Sequence, residues 1–132
     1  DIQISVLPLD RIIEFEEINI EFIKTDIDFI EYFDDLIGVS VQEKTSEIVK
    51  LRVSDKQLNY IKTKPIHNSQ KYEFDSVGNK LVVLNLKINF ELENHILQYG
   101  ETVQVIEPTD LRDRLYERVC SLKNAYESII NP

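Results

Sequence analysis

The sequence predicts an α+β fold in which strands and helices follow one another as βαββαβ before a long helix closes the domain. Three observations predict it: apolar residues alternate over short segments, helix-capping residues precede two amphipathic stretches, and a hairpin turn joins the two middle strands. Because βαβ crossovers are right-handed, both helices should cover one face of a four-stranded antiparallel sheet. This arrangement is the ferredoxin-like fold.

The elements of this main domain have recognisable ends. Ser54 and Asn89 can each cap a helix, and Pro65 and Gly100 follow those two helices. Strands are expected over residues 48–53, 72–74, 81–88 and 102–106. The extra C-terminal helix begins after Pro108 and has an apolar stripe, so we expect it to pack on the open sheet face or on another subunit. The stripe consists of Leu111, Leu115, Val119, Leu122, Tyr126 and Ile129.

The N-terminal residues predict a strand and helix appendage. Ile2–Val6 and Leu9–Phe15 have strand-like composition, and a helix is expected over Asp28–Ile37, with Thr25 or Asp26 as its cap and Gly38 at its end. We therefore divide the chain into three parts. Residues 1–24 are the terminal strands of a truncated domain, residues 25–47 are a connecting helix and linker, and residues 48–132 are the ferredoxin-like domain.

Charge and composition limit the classes of function. The net charge is −9 and is unevenly distributed. Residues 1–47 hold 13 acidic and 3 basic residues, whereas residues 48–132 hold 11 acidic and 12 basic residues. Such acidity opposes binding to a phosphate backbone. No apolar run approaches the roughly 20 residues of a membrane span, and the single Cys120 favours the reducing cytoplasm. Because the sequence lacks Met, we expect a fragment of a longer protein.

No spacing in the sequence indicates a catalytic triad or a metal site, so we predict no catalytic residue, metal or cofactor. Four polar residues are candidates for binding a ligand. His67 and Gln70 share a polar loop; they can bind a polar ligand, but the interpretation we favour is that they stabilise the loop itself. Arg112 opposes the dipole of the last helix, which suggests an acidic partner such as Glu107 or Asp110, or a ligand. Arg11 shares a predicted strand face with apolar residues and needs an acceptor or a cleft.

Four stretches carry a resemblance to a known family: Leu9–Ile12, Phe29–Gly38, Pro65–Gln70 and Ile96–Leu111. In this order they resemble the C-terminal part of the bacterial WYL-domain transcriptional regulators. There, they correspond to the closing strand of the WYL domain, a connecting helix, a Pro-x-His-x-Ser-Gln pattern and a Glu-Pro…Leu-Arg ending. The resemblance implies a homodimeric regulator with an N-terminal winged helix for DNA, a WYL barrel that senses a nucleic acid or another ligand, and this extension.

The hypothesis that follows is a regulatory module for ligand response and dimerisation, without catalysis. DNA would be bound only through the winged helix, which this sequence lacks, and Arg11 would be a ligand contact of the WYL barrel. Two alternatives stay open. One is a small acylphosphatase-like enzyme that handles phosphate with Arg52 and an asparagine among Asn59, Asn85 and Asn89. The other is a free-standing metabolite-binding domain of the same fold.

Overall fold

The fold is given by a computed structural model that describes residues 4–5, 7–40 and 45–131. Four strands and four helices follow one another along the chain, and short 3₁₀ turns occur at Leu9–Arg11 and Gly100–Thr102. The elements are α1 (Phe29–Phe33), β1 (Glu47–Val53), α2 (Asp55–Thr63), β2 (Lys71–Phe74), β3 (Lys80–Leu86), α3 (Phe90–Leu97), β4 (Val103–Glu107) and α4 (Thr109–Ile130).

The four strands form one antiparallel sheet in the order β2-β3-β1-β4. β1 is central, and its residue Leu51 pairs with Val82 of β3 on one side and with Val105 of β4 on the other. β2 and β3 form the predicted hairpin, in which Gly78 takes a positive φ of 88°. The strand order and the crossover helices confirm the ferredoxin-like prediction.

The hydrophobic core lies between one face of the sheet and the helices. Every second residue of β1 and β3 points into it, and Leu58 and Ile61 of α2 cover it together with Leu92 and Ile96 of α3. The predicted caps form, because Ser54 Oγ accepts from the Gln57 amide and Asn89 Oδ1 accepts from the Leu92 amide. Capping satisfies amides that the helix itself leaves without partners.

α4 is partly buried and partly exposed. Leu111 and Leu115 lie in the core beside α3 and β4, so this part of the helix packs on the helical side of the sheet. From Val119 onward the same apolar stripe is exposed, and the exposed fraction rises from 49% at Val119 to 75% at Ile129. The predicted packing on the open sheet face is therefore wrong for the first half of the helix, which joins the core on the side of α3. Packing of the exposed second half on another subunit stays a prediction.

The N-terminal region differs from its prediction. Leu9–Phe15 does not form a strand: Leu9–Arg11 is a 3₁₀ turn, and residues 12–28 have no regular secondary structure. A strand needs a hydrogen-bonding neighbour, and the described residues offer this segment none. Ile2–Val6 lies mostly outside the described residues, as do residues 41–44 of the expected linker. The predicted assignment of residues 1–24 to a preceding domain stays a prediction.

The predicted connecting helix is shorter than expected. It spans Phe29–Phe33, and its cap is Asp28, whose carboxylate accepts from the amides of Ile30 and Glu31. Thr25 and Asp26 lie too far upstream to cap it, so that part of the prediction is wrong. Gly38 has the positive φ expected of it, but it lies five residues beyond the helix. The chain between Phe33 and Gly38 is held by contacts to the main domain.

Candidate functional site

His67 and Gln70 lie together in the loop between α2 and β2, where both are bonded to the protein itself. The two ring nitrogens of His67 lie 2.8 Å from Ser69 Oγ and 2.7 Å from the Asp34 carbonyl oxygen. Gln70 accepts from the Ile66 amide and donates to the Tyr72 hydroxyl. These bonds favour the structural interpretation of the loop. A ligand role for either residue stays a prediction.

Arg11 and Arg112 make none of the described hydrogen bonds of that loop. Arg11 is exposed in the N-terminal 3₁₀ turn. Arg112 is exposed at the start of α4, and its Nε lies 3.2 Å from Asp113 Oδ1. The acids expected to pair with it are engaged elsewhere, Glu107 with Lys50 and Asp110 with Arg114. The four predicted ligand residues therefore do not form one site.

Residues 34–40, which we call the docked linker, are held against the β3–α3 corner of the main domain. Leu36 is buried there, and the Lys87 amide donates to the Asp35 carbonyl at 2.7 Å. Asn89 contributes most, because its side-chain amide donates to the carbonyl oxygens of Ile37 at 2.8 Å and Ser40 at 3.2 Å. Asn89 is 2% exposed and also caps α3. One buried side chain thus joins the linker to a core helix.

Two carboxylates add to this docking. Asp35 binds Lys87 Nζ at 3.1 Å and accepts from Ser46 Oγ at 3.0 Å, while Glu91 accepts from both the amide and the hydroxyl of Ser40. Burial raises the pKa of both carboxyl groups, but these hydrogen bonds outweigh it and hold each pKa below its ordinary value. Both side chains are therefore ionised at neutral pH and act as acceptors.

Gly38 allows the docked linker to approach α3 closely. Its φ is +75°, and a Cβ atom built there would lie 2.7 Å from Glu91 Cγ. We expect Gly38→Ala to lower the free energy of unfolding by about 2 kcal/mol, because a left-handed conformation is unfavourable for alanine and Glu91 must also move. Chemical denaturation measures this loss.

The matched control for that variant is Gly78→Ala. Gly78 also has a positive φ, but a Cβ atom there would meet nothing within 4 Å. Gly78→Ala should lower the free energy of unfolding by only about 1 kcal/mol, the cost of placing alanine in a left-handed conformation. Equal losses for the two variants would show that the linker does not press against Glu91.

The first half of α4 is fastened to α3 by an ionic cluster. Glu93 has a side chain that is only 12% exposed, and its two oxygens bind Arg114 at 2.9 Å and Arg118 at 3.1 Å. The Arg118 guanidinium also lies 5.1 Å from the centre of the Phe90 ring. A carboxylate shared by two arginines fixes the helix at two successive turns. Beyond Arg118, every described side chain of α4 except Cys120 is exposed.

A groove of about 700 Å³ lies where α4 leaves the domain. Its floor is formed by β4 and the end of α3, and one wall by α4. The lining is mainly apolar and includes Ile96, Leu97, Val103, Val105, Leu115, Val119 and Leu122. The groove therefore runs directly into the exposed stripe of α4, and the two form a continuous apolar surface. Apolar surfaces of this kind usually mark interaction sites.

Two of the three asparagines in the enzyme alternative are not placed to handle phosphate together with Arg52. Arg52 pairs with Leu81 and Asn85 with Ile48 in the β1–β3 register, which places them four residues apart along the strands, about 13 Å. Arg52 lies 3.8 Å from Asp75, and the Asn89 side chain is already bonded to the α3 amide that it caps and to the docked linker.

No three His, Cys, Asp or Glu side chains among the described residues are grouped to hold a metal ion. No described helix is long and apolar enough to cross a membrane.

Comparison with protein families gives a direct match. A family model described as the WCX domain matches residues 45–121, which include the whole sheet, α2, α3 and the first half of α4. The chain belongs to the WCX domain family. This domain is a C-terminal domain associated with WYL domains and found in WYL regulators, and its family is regulatory and not known to be catalytic. Comparison with curated proteins finds no match for the chain.

The family match supports the resemblance to the C-terminal domain of WYL regulators. The geometry of this WCX domain also shows two structural residues that the sequence analysis missed. Glu91 and Glu93 were not singled out, although one holds the linker and the other holds α4. A signal for Glu93 existed, since Arg114 and Arg118 are spaced i,i+4 and lie on one helix face. No local signal pointed to Glu91, whose partner Ser40 is 51 residues away.

Proposed function

We propose that this WCX domain is the regulatory C-terminal module of a WYL-type bacterial transcription regulator and that it brings two copies together through α4. The observation that carries the proposal is the apolar surface of the groove and the exposed half of that helix. Leu115, Val119, Leu122, Tyr126 and Ile129 follow spacings of 4, 3, 4 and 3 residues. That is the heptad seam with which one helix packs along another.

A second copy of α4 is the partner that fits this surface best. The helix has 22 residues and is therefore about 33 Å long. Its first half is covered by its own domain and its second half is not, so two copies related by a twofold axis could cover each other's exposed seams and grooves. Such a contact is self-complementary, as most dimer interfaces are.

The docked linker supports the second half of the proposal, which is the response to a ligand. Fixing residues 34–40 to the β3–α3 corner makes a rigid connection to whatever precedes them in the regulator. A change in a preceding WYL domain would then move the WCX domain and its α4 as one body. The proposal places DNA binding in a winged helix of the cytoplasmic regulator, since a net charge of −9 opposes contact with phosphates.

Light scattering coupled to size-exclusion chromatography tests the dimer. We expect the chain to form a dimer at micromolar concentration and Leu122→Asp to shift it to the monomer, because a charge in the seam must be desolvated. Val77→Asp is the matched control, as Val77 is an 81% exposed apolar residue in the β2–β3 turn. It should leave the dimer intact. A monomeric parent chain, or a dimer that tolerates Leu122→Asp, would contradict the proposal.

A further inference from the structure

A second cleft lies between α2 and α3. It has a volume of about 540 Å³, within the range of small-molecule sites. Two rows of side chains face each other across it. Lys56 and Tyr60 lie on α2, and Lys64 follows its last residue; His95 lies on α3, and Tyr99 follows two residues after its end. Within each row the residues are four apart in sequence, and all five side chains line the same cleft.

The charge of this cleft is opposite to that of the chain. Its lining, as far as the structure describes the chain, contains two lysines and no carboxylate, although the whole sequence has a net charge of −9. The nearest acid on α2, Asp55, is 2.8 Å from Lys80 and is thereby engaged on another side. A locally positive cleft in an acidic protein attracts an anion and repels the cations that the remaining surface favours.

The hydrogen-bonding groups of the cleft also point to an acceptor ligand. Burial lowers the pKa of His95, so its ring is neutral at pH 7, and burial raises the pKa of Tyr99, which keeps its hydroxyl protonated. Gln98 Nε2 lies 3.0 Å from His95 Nδ1, and His95 Nε2 lies 3.3 Å from the Tyr99 hydroxyl. If the Gln98 amide donates to His95 Nδ1, the proton of the neutral ring lies on Nε2 and is donated to the Tyr99 oxygen. The hydroxyl hydrogen of Tyr99 is then free to donate into the cleft.

Flat surfaces complete the site. The ring of Tyr60 is about half exposed, and Lys64 Nζ lies 5.5 Å from its centre. The His95 and Tyr99 rings meet edge to face with their centres 5.5 Å apart. Lys56 and Lys64 are eight residues apart, about 12 Å along the helix, so their flexible side chains can both reach a group held near Tyr60.

We propose that this cleft binds a small aromatic anion, a phosphate or carboxylate group attached to a flat ring. Lys56 and Lys64 bind the charged group, the Tyr99 hydroxyl donates to it, and the ring stacks on Tyr60. The site would give the WCX domain a ligand of its own, in addition to any ligand of a WYL domain. It does not depend on the dimer proposed above, since its side chains lie on α2, on α3 and on the residues that directly follow these two helices.

The test is a titration of the isotope-labelled full chain followed by amide and histidine NMR signals. Four probes separate charge from ring: phenyl phosphate, benzoate, inorganic phosphate and the neutral benzyl alcohol. We expect saturable shifts at Tyr60, His95 and Tyr99 with phenyl phosphate or benzoate and weaker effects with the other two. A bound anion stabilises the imidazolium, so the measured pKa of His95 should rise.

Variants make the test specific. Lys56→Gln combined with Lys64→Gln should weaken binding of the aromatic anion at least about tenfold, since two charge-assisted contacts are lost. The control combines Lys71→Gln with Lys123→Gln, which removes the same charge from exposed positions outside the cleft, and should change affinity less than about twofold. The proposal is overturned if neither aromatic anion gives saturable shifts, if benzyl alcohol or inorganic phosphate binds equally well, or if the Lys56 and Lys64 double variant binds like the control.

Discussion

Replacing Leu111 by alanine is expected to lower the free energy of unfolding by about 3 kcal/mol, the usual cost of a cavity at a fully buried leucine. Leu111 is 0% exposed and lies in the core with Leu92 and Ile96 of α3. The cavity would open where α4 joins the domain, so the helix should also lose its fixed position. Urea denaturation measures the energy, and amide exchange along α4 measures the loss of docking.

The matched control lies on the same helix. Leu122→Ala removes the same atoms from a side chain that is 57% exposed, and should change the stability of the monomer by less than about 0.5 kcal/mol. Both variants are to be measured at a dilution at which light scattering shows the parent chain to be monomeric. Similar losses for the two leucines would mean that the second half of α4 is also packed within a single chain.

Removing the Asn89 side chain should have an effect of similar size. Asn89→Ala deletes the cap of α3 and leaves the Ile37 and Ser40 carbonyl groups without their donor. A cap contributes about 1 kcal/mol and each of the two bonds donated by the buried Asn89 amide about 1 kcal/mol, so a loss of about 3 kcal/mol is expected. Denaturation gives the total, and amide exchange of residues 34–40 reports whether the docked linker has been released.

A second substitution separates the two roles of Asn89. Serine retains an oxygen that can cap α3 but lacks the amide donors, so Asn89→Ser should lose about 2 kcal/mol and still release the linker. Asn59→Ala is the control, because Asn59 is exposed in α2 and should tolerate the change within about 0.5 kcal/mol. Unchanged exchange in residues 34–40 of the serine variant would show that Asn89 does not hold the linker.

The main-domain fold could be predicted because its determinants are local. Ser54 and Asn89 each cap a helix by accepting from an amide three residues away, and Gly78 marks a turn that only flexible residues form easily. Alternation in the middle strands gave their inward faces, since Val82, Leu84 and Leu86 are all fully buried. Such signals depend on neighbours in sequence and need no knowledge of distant contacts.

The parts that could not be predicted depend on distant partners. Leu9–Phe15 alternates like a strand, but alternation does not provide the neighbouring strand that hydrogen bonding requires. The stripe of α4 was evident, yet periodicity does not reveal that its cover ends after Leu115. The docked linker joins Ile37 to Asn89, 52 residues away, through a main-chain carbonyl group that every residue possesses.

That use of the main chain has a consequence for how the sequences of WCX domains can vary. Asn89 recognises the path of the peptide backbone and not the identity of the side chains at Ile37 and Ser40. Relatives could therefore replace most of this segment and keep the same joint, provided that Gly38 or an equally permissive residue allows the bend. The orientation of the WCX domain relative to the docked linker would then be conserved even where the sequence of the docked linker has diverged.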